Sequence, residues 1–305
     1  MERYVIKRIL QGIVTLIVLS VVVFLMPRMS GDPAYLIAGP DATEEQREEI
    51  RRKLSLDRPL PVQYYLFITR AVRGDFGESY YRQGQTVTSI IWERFPATLK
   101  LALATACVAI PLGILLGVLC AIRRNKFLDT LGKSIAVLGQ SLPGFWVGIT
   151  LILLFSVTLG LLPAAGMDSP KNYIMPVITL GWVGLAGVTR LTRSSMLEVL
   201  GSDFITFIRT RGIPEKSVVL KHALRNAAIP IITTAAIMIG FMLTGSIVVE
   251  TVFAWPGIGR LAYNSVLMAD FAMIQAIVLF YGIIFISANL LADILYAWVD
   301  PRIRY

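Results

Sequence analysis

The chain has 305 residues, of which 55% are hydrophobic and only 16% charged, and its formal net charge is +9. Soluble globular domains carry about 25% charged residues, so this composition excludes a soluble enzyme or binding domain and indicates a membrane protein. Both cysteines, Cys107 and Cys120, fall in one apolar run. A disulfide between them is incompatible with one continuous helix, so we expect both cysteines to act as small buried hydrophobic residues.

Six apolar stretches are long enough to cross a hydrocarbon core, which takes about 20 residues. They lie at residues 9–26, 97–122, 134–162, 173–199, 227–249 and 272–299. The first is too long for the apolar part of a signal peptide and no cleavage pattern follows it, so we expect it to be retained. The pattern predicts an all-α polytopic membrane protein. Its parts would be a first membrane helix (1–27), an extracytoplasmic cap (28–95) and a core of five membrane helices (96–305).

The distribution of Lys and Arg predicts the orientation. The N-terminus, residues 123–133, residues 190–225 and the C-terminus together carry 16 basic residues against six acidic ones. We therefore expect both termini and the loop after the fourth span to be cytoplasmic. The excess positive charge reports topology and gives no reason to expect a nucleic-acid partner.

The predicted outer side contains two segments that could receive a partner. In the cap, Gly31, Asp32 and Pro33 form a turn signature, Thr43 is a candidate helix N-cap, and a second helix is predicted over residues 62–72. The cap ends in another turn, which contains Asp75 and Phe76. A second outer loop carries Trp255, Pro256 and Gly257, where Trp255 could equally be an aromatic anchor at the lipid headgroups.

The polar loop at residues 200–226 separates the fourth and fifth spans. Phe204, Phe207 and Ile208 have the spacing of a short amphipathic helix. Gly212 and Pro214 predict that this helix ends and that a second one follows, up to about Arg225. Two short helices around a glycine turn suggest a segment that a cytoplasmic partner binds. An ordinary loop with a positive face is the alternative.

Several kinds of catalytic chemistry have no sequence support here. The chain contains no phosphate loop, no G-x-S-x-G elbow and no H-E-x-x-H pair, and nothing indicates a metal site. The predicted membrane interior is nearly free of charge. Asp293 could be a functional acid, although an interfacial cap is the more natural role for it. Energy for uphill transport would therefore have to enter from outside, through the cytoplasmic loop.

Seven ordered pieces of the chain match a known family. They are YVIKRIL, GDPAYLIAG, RGDFGES, RLTRSSMLEVL, KHALRNAAIP, ETVFAWPGIGRL and DPRIRY. Over essentially its whole length the chain resembles the B-type inner-membrane permease of bacterial dipeptide, oligopeptide and nickel ABC importers. The resemblance implies six helices of the type I importer kind in the inner membrane, and a multi-pass subunit that is not itself an enzyme.

The cytoplasmic loop of such permeases has the pattern E-A-A-x3-G-x9-I-x-L-P. Carried over, the glycine is Gly212 and the leucine is Leu224, whereas Thr206, Phe207 and Ile208 replace E-A-A, and His222 and Arg225 replace the isoleucine and the proline. The resemblance implies that this loop contacts an ATPase through Phe204, Phe207, Ile208, Arg209, Arg211, Gly212, Glu215, Lys216, His222, Leu224 and Arg225.

The resemblance also implies the partners. They are a second, C-type permease, two ABC ATPases that bind ATP and Mg²⁺, membrane lipid, and an extracytoplasmic solute-binding protein. The last would dock on Gly31, Asp32, Pro33, Asp75, Phe76, Trp255, Pro256 and Gly257. The expected substrate is a dipeptide, an oligopeptide or glutathione, with nickel or a short oligosaccharide as the alternative. An ion-coupled secondary transporter or channel and a membrane-anchored scaffold are the rival classes.

Overall fold

The structure, a computed structural model, describes residues 2–29, 34–35, 42–53, 55–79, 84–244 and 247–299. The helices are α1 (Glu2–Met29), α2 (Glu44–Lys53), α3 (Leu60–Val72), α4 (Val87–Ile122), α5 (Phe127–Ser141), α6 (Gly144–Thr158), α7 (Lys171–Leu200), α8 (Asp203–Thr210), α9 (Glu215–Leu243), α10 (Ile247–Val252), α11 (Ile258–Leu267) and α12 (Phe271–Val299). Within the described ranges the only β-pairing is one bridge between Glu78 and Thr86.

The predicted all-helical membrane fold is confirmed. Among the described residues, five helices are long and apolar enough to cross a membrane, and the number becomes six if the pair α5 and α6 counts as one bent span. The helix α1 exposes a nearly continuous apolar surface, as expected of a helix that lies against lipid.

The third span differs from its prediction. The apolar stretch 134–162 does not form one helix, because α5 and α6 are bent by 104° relative to each other at Leu142 and Pro143. Proline lacks an N–H donor and disfavours helical geometry in the residue before it, and Leu142 is accordingly extended, with ψ at 126°. The last part of α6, Ile152–Thr158, is π-helical.

The boundary between the cytoplasmic loop and the fifth span was also predicted wrongly. The second loop helix and the span form one helix, α9, which runs for 29 residues from Glu215 to Leu243. Neither glycine nor proline lies between Glu215 and Ile229, and the sequence changes from polar to apolar within one continuous helix. The loop and the fifth span therefore share a helix.

The cap helices are joined to α1 by polar contacts. Thr43 and Gln46 form a reciprocal capping box at the start of α2, which confirms the predicted N-cap. The Arg28 guanidinium donates to Gln63 Oε1 at 2.6 and 3.1 Å, and the amide nitrogen of Gln63 donates to two carbonyls of the preceding turn. Tyr64 lies 2.8 Å from the Ser20 hydroxyl. The N-terminal part of α3 is thus held against the C-terminal part of α1.

The chain divides into two compact units. One contains residues 2–98 and 256–286, and its core is formed by Val87, Ile90, Ile91, Ile258, Met273, Ala276 and Ile277. The other contains residues 99–255 and the chain from 287 onward. Its helices approach closely at glycines: a Cβ on Gly181 would lie 3.2 Å from Thr105 and Ala109, and one on Gly184 would lie 2.4 Å from the Met238 sulfur.

This packing predicts a difference between two glycine substitutions. A Cβ on Gly117 of α4 would lie 2.5 Å from Thr192 Cβ and 2.7 Å from the Thr189 carbonyl oxygen, which is backbone and cannot turn aside. We expect Gly117→Ala to destabilise the protein by roughly 1–3 kcal/mol. Gly187→Ala is the matched control, because its Cβ meets nothing within 4 Å. Thermal unfolding in detergent would measure both, and equal melting temperatures would contradict the packing described.

Candidate functional site

The loop at residues 200–226, which is predicted to be cytoplasmic, consists of α8, a glycine turn and the first turns of α9. The helix α8 ends at Thr210, and Gly212 follows with φ at +73°. The Gly212 N–H donates to the Arg209 carbonyl at 3.0 Å, as expected of a glycine just past a helix end. Pro214 is the N-cap of α9. The predicted glycine turn is therefore present, and α9 begins at Glu215, one residue later than a helix with Pro214 at its first position would.

Two isoleucines anchor α8 to the membrane helices. Ile205 and Ile208 are buried in a cluster that also contains Val118 of α4, Met196 of α7 and Val218 of α9. Leu224 is half-buried against the same cluster. An isolated helix of eight residues is unstable in water, so this burial holds α8 in place.

The side of α8 that packs inward is narrower than its apolar surface. The spacing of Phe204, Phe207 and Ile208 predicted a short amphipathic helix, and in the structure Phe204 is 50% exposed and Phe207 is 56% exposed. The helix is apolar on two sides, and Ile205, which that interpretation omitted, packs together with Ile208. The spacing of three residues between Ile205 and Ile208 was the feature of the sequence that could have identified this buried pair.

The outward side of the loop combines aromatic, aliphatic and basic groups, and we call it the loop face: Phe204, Phe207, Arg211, Leu220 and His222. The Arg211 guanidinium lies 4.7 Å from the centre of the Phe207 ring. His222 meets Phe204 edge-on at 6.5 Å, and Leu220 is 51% exposed. This surface suits a partner with an apolar groove and an acidic rim.

The turn between α8 and α9 is closed by an ion pair. The Arg209 guanidinium donates to both carboxylate oxygens of Glu215, at 2.7 and 3.2 Å, and this hydrogen bonding raises the pKa of Arg209. Both residues were predicted to contact an ATPase, and here they bind each other. Lys216 and Arg225, two further predicted contact residues, are exposed.

The predicted docking loop on the outer side is largely an internal structure. Trp255 is completely buried, and its ring packs edge-on against Tyr173 with 4.7 Å between centroids. Gly257 is buried and Pro256 half-buried. Both interpretations of the Trp255 side chain, as a docking residue and as a headgroup anchor, needed an exposed ring and are wrong.

The remaining docking candidates lie in the cap. Asp75 is exposed, and its carboxylate accepts a hydrogen bond from the Gly77 N–H at 2.9 Å. Phe76 is half-buried against the core of its unit. Gly31, Asp32 and Pro33 lie outside the described residues, as does the side chain of Asp293.

A buried acid that the sequence did not single out joins α5 to α7. Asp129 is fully buried; it accepts hydrogen bonds from Nε and Nη2 of Arg193, the latter at 3.0 Å, and from the Asn125 N–H at 2.9 Å. Lys133 Nζ lies 2.9 Å away. A partner 64 positions away leaves no local pattern in one sequence.

Comparison with known proteins gives consistent matches along the whole chain. Residues 113–305 match the family described as binding-protein-dependent transport system inner membrane component, and residues 1–102 match the N-terminal part of such membrane components. The glutathione transport system permease protein GsiC of Escherichia coli K12 is 47% identical over the full length of both chains. That of Salmonella typhimurium LT2 is 45% identical, again with full coverage of both chains.

Solved structures resemble the fold. A chain of the inward-facing MetNI methionine ABC transporter matches with a TM-score of 0.58 and 18% identity, over 69% of this chain and 96% of that one. A chain of an amino acid ABC transporter matches with a TM-score of 0.50 and 17% identity, over 71% of this chain and 95% of that one. The type I importer fold predicted from the sequence is thereby confirmed.

The anchoring of α8 predicts unequal effects of two neighbouring substitutions. Ile205→Ala removes a buried side chain and should cost roughly 2–5 kcal/mol of packing free energy, which would loosen α8. Phe204→Ala, the control, removes a side chain that is half exposed. Limited trypsin digestion should cleave after Arg209 and Arg211 faster in Ile205→Ala than in Phe204→Ala. Equal cleavage rates would show that Ile205 does not hold the helix.

Proposed function

This chain belongs to the family of inner-membrane components of binding-protein-dependent transport systems, and from that premise we propose that it imports glutathione or small peptides, with its energy supplied through the loop face. The observation that carries the substrate class is the 47% identity to glutathione permeases over the full length of both chains.

We propose that the loop face enters a groove on an ABC ATPase, which binds ATP and Mg²⁺ while this chain binds no cofactor. Aromatic and Arg side chains are enriched where protein interfaces are tightest. Phe204, Phe207 and Arg211 have this composition and are exposed. The other predicted contact residues would act indirectly. Ile208 and Leu224 would pack beneath the loop face, and the ion pair of Arg209 and Glu215 would hold the turn between α8 and α9.

Force would pass from the ATPase into the membrane through two helices. The helix α8 is seated on a cluster that includes Met196 near the end of α7, and α9 continues from the loop into the bilayer without a break. Movement of the loop face would displace α9 as a lever. A second, C-type permease with its own ATPase would complete the translocation path between the two subunits.

On the outer side we propose that a solute-binding protein docks on the cap. Asp75 and its turn are exposed in the cap. The buried Trp255 would instead keep its own loop rigid. This arrangement requires both termini and residues 200–226 to be cytoplasmic, as the distribution of Lys and Arg predicts.

The substrate proposal can be tested with the reconstituted complex. Proteoliposomes containing both permeases, both ATPases and the cognate binding protein should take up radiolabelled glutathione only when ATP is present inside. Dipeptide, Ni²⁺ and an oligosaccharide are the competing substrates. Transport of Ni²⁺ or the oligosaccharide alone would refute the substrate class, and flux through this chain without ATPases would indicate a secondary transporter or channel.

The loop face predicts variants that separate substrate capture from transport. Arg211→Glu reverses the charge beside Phe207, and Phe207→Ala removes an exposed aromatic contact; each should lower binding-protein-stimulated ATP hydrolysis roughly tenfold, as loss of an interface hot spot does. Gly212→Val should act similarly, because a β-branched residue is strained at φ +73°. Binding-protein docking should be unchanged.

Phe127→Ala is the matched control, since Phe127 at the start of α5 is an aromatic residue that is 78% exposed and lies outside the loop face. Its ATP hydrolysis should equal that of the unmodified complex. If Arg211→Glu, Phe207→Ala and Gly212→Val all transport normally, the loop face does not couple the two subunits.

A further inference from the structure

A groove between α5 and α7 lies apart from the loop face. Lys133, Val137 and Gln140 of α5 line one side, and Thr189, Arg190 and Arg193 of α7 line the other. The two helices can approach here because α5 carries small residues; a Cβ on Gly139 would lie 2.4 Å from Ala186 Cβ. The groove is therefore a consequence of close helix packing.

The groove has a positive charge that the chain itself only partly neutralises. Three of its lining side chains, Lys133, Arg190 and Arg193, are basic, and none of its lining residues is acidic. Asp129, buried beneath, pairs with Lys133 and Arg193 and accounts for one negative charge. Arg190 donates to the neutral Gln140 Oε1 at 3.0 Å. About two positive charges are left over for a ligand.

A buried hydroxyl in the same groove lacks a partner. Thr189 is 1% exposed, and its Oγ1 makes no hydrogen bond to any of the described residues. Buried polar groups are nearly always hydrogen-bonded, so an unsatisfied hydroxyl needs an explanation. A hydroxyl beside guanidinium and ammonium groups is a suitable donor to an anionic oxygen.

The depth of the groove matches the lipid headgroups. No charged residue lies between Lys171, at one end of α7, and Arg190, and this distance along a helix is roughly 28 Å. The hydrocarbon core is about 30 Å thick, so Lys171 and Arg190 would lie at opposite interfaces. Arg190 and Arg193 are on the side predicted to be cytoplasmic.

We propose that the groove between α5 and α7 binds the phosphate headgroup of an anionic phospholipid from the cytoplasmic leaflet. Arg190 and Lys133 face the phosphate, and the Thr189 hydroxyl donates to one of its oxygens. Val137 and its neighbour Leu138 are 63% and 50% exposed and lie where acyl chains begin. This apolar margin favours a lipid over a soluble phosphate compound, and basic pockets between membrane helices are known to bind such headgroups.

The test uses the full chain purified in neutral detergent with its second permease. Native mass spectrometry would count the bound lipids as phosphatidylglycerol or phosphatidylcholine is titrated in. Thr189→Val and Arg190→Gln should each weaken retention of phosphatidylglycerol by at least about fivefold. Thr192→Val is the matched control for the first, since Thr192 is another buried, unsatisfied hydroxyl of α7 that does not line the groove. Arg124→Gln, an exposed charge outside the groove, controls for the second.

Selective retention of phosphatidylglycerol, lost in the two groove variants and kept in the two controls, supports the proposal. Equal retention of phosphatidylcholine, or equal losses in Arg124→Gln and Arg190→Gln, overturns it. Displacement of the lipid by millimolar inorganic phosphate would assign the groove to a soluble anion and also overturns it. So would loss of the second permease from Arg190→Gln with lipid binding unchanged, because the groove would then belong to the interface between the permeases.

Discussion

The burial of Ile205 and Ile208 is the contact on which the proposed energy transfer depends. The helix α8 has only eight residues, too few to be stable alone, and its side chains reach a cluster formed by α4, α7 and α9. Burying an isoleucine contributes roughly 1.5–3 kcal/mol, enough for two of them to fix the helix against thermal motion. A loosely tethered loop would absorb the motion of an ATPase instead of passing it on.

The ion pair of Asp129 and Arg193 gives α7 a second fixed contact nearer the membrane. Removing one partner of a buried pair costs several kcal/mol, because the remaining charge stays in a poor solvent. Arg193 and Met196 are three residues apart on α7, so the ion pair to α5 and the apolar contact to α8 share one turn of helix. The C-terminal end of α7 is thus held by a polar contact and an apolar contact.

The sequence predicts the elements of this fold much better than their junctions. Apolar runs identify the membrane helices because lipid requires long uncharged segments, and Gly212 marks the turn because a left-handed backbone favours glycine. A hydropathy pattern cannot show that Pro143 bends its chain by 104°, or that α9 passes through a change from polar to apolar residues. The pairing of Asp129 with Arg193 is decided by tertiary structure alone.

The same limit applies to the aromatic residues, which the two ends of the molecule use in opposite ways. Trp255 and Phe253 lie near proline and glycine in a loop predicted to be exposed, yet both are buried. Phe204 and Phe207 lie in the short helix α8, and about half of each side chain is exposed. Exposed rings on one turn of helix lose the free energy of burial unless another protein covers them. The loop around Trp255 is covered by this chain itself, whereas in our proposal the loop face is covered only when a partner binds.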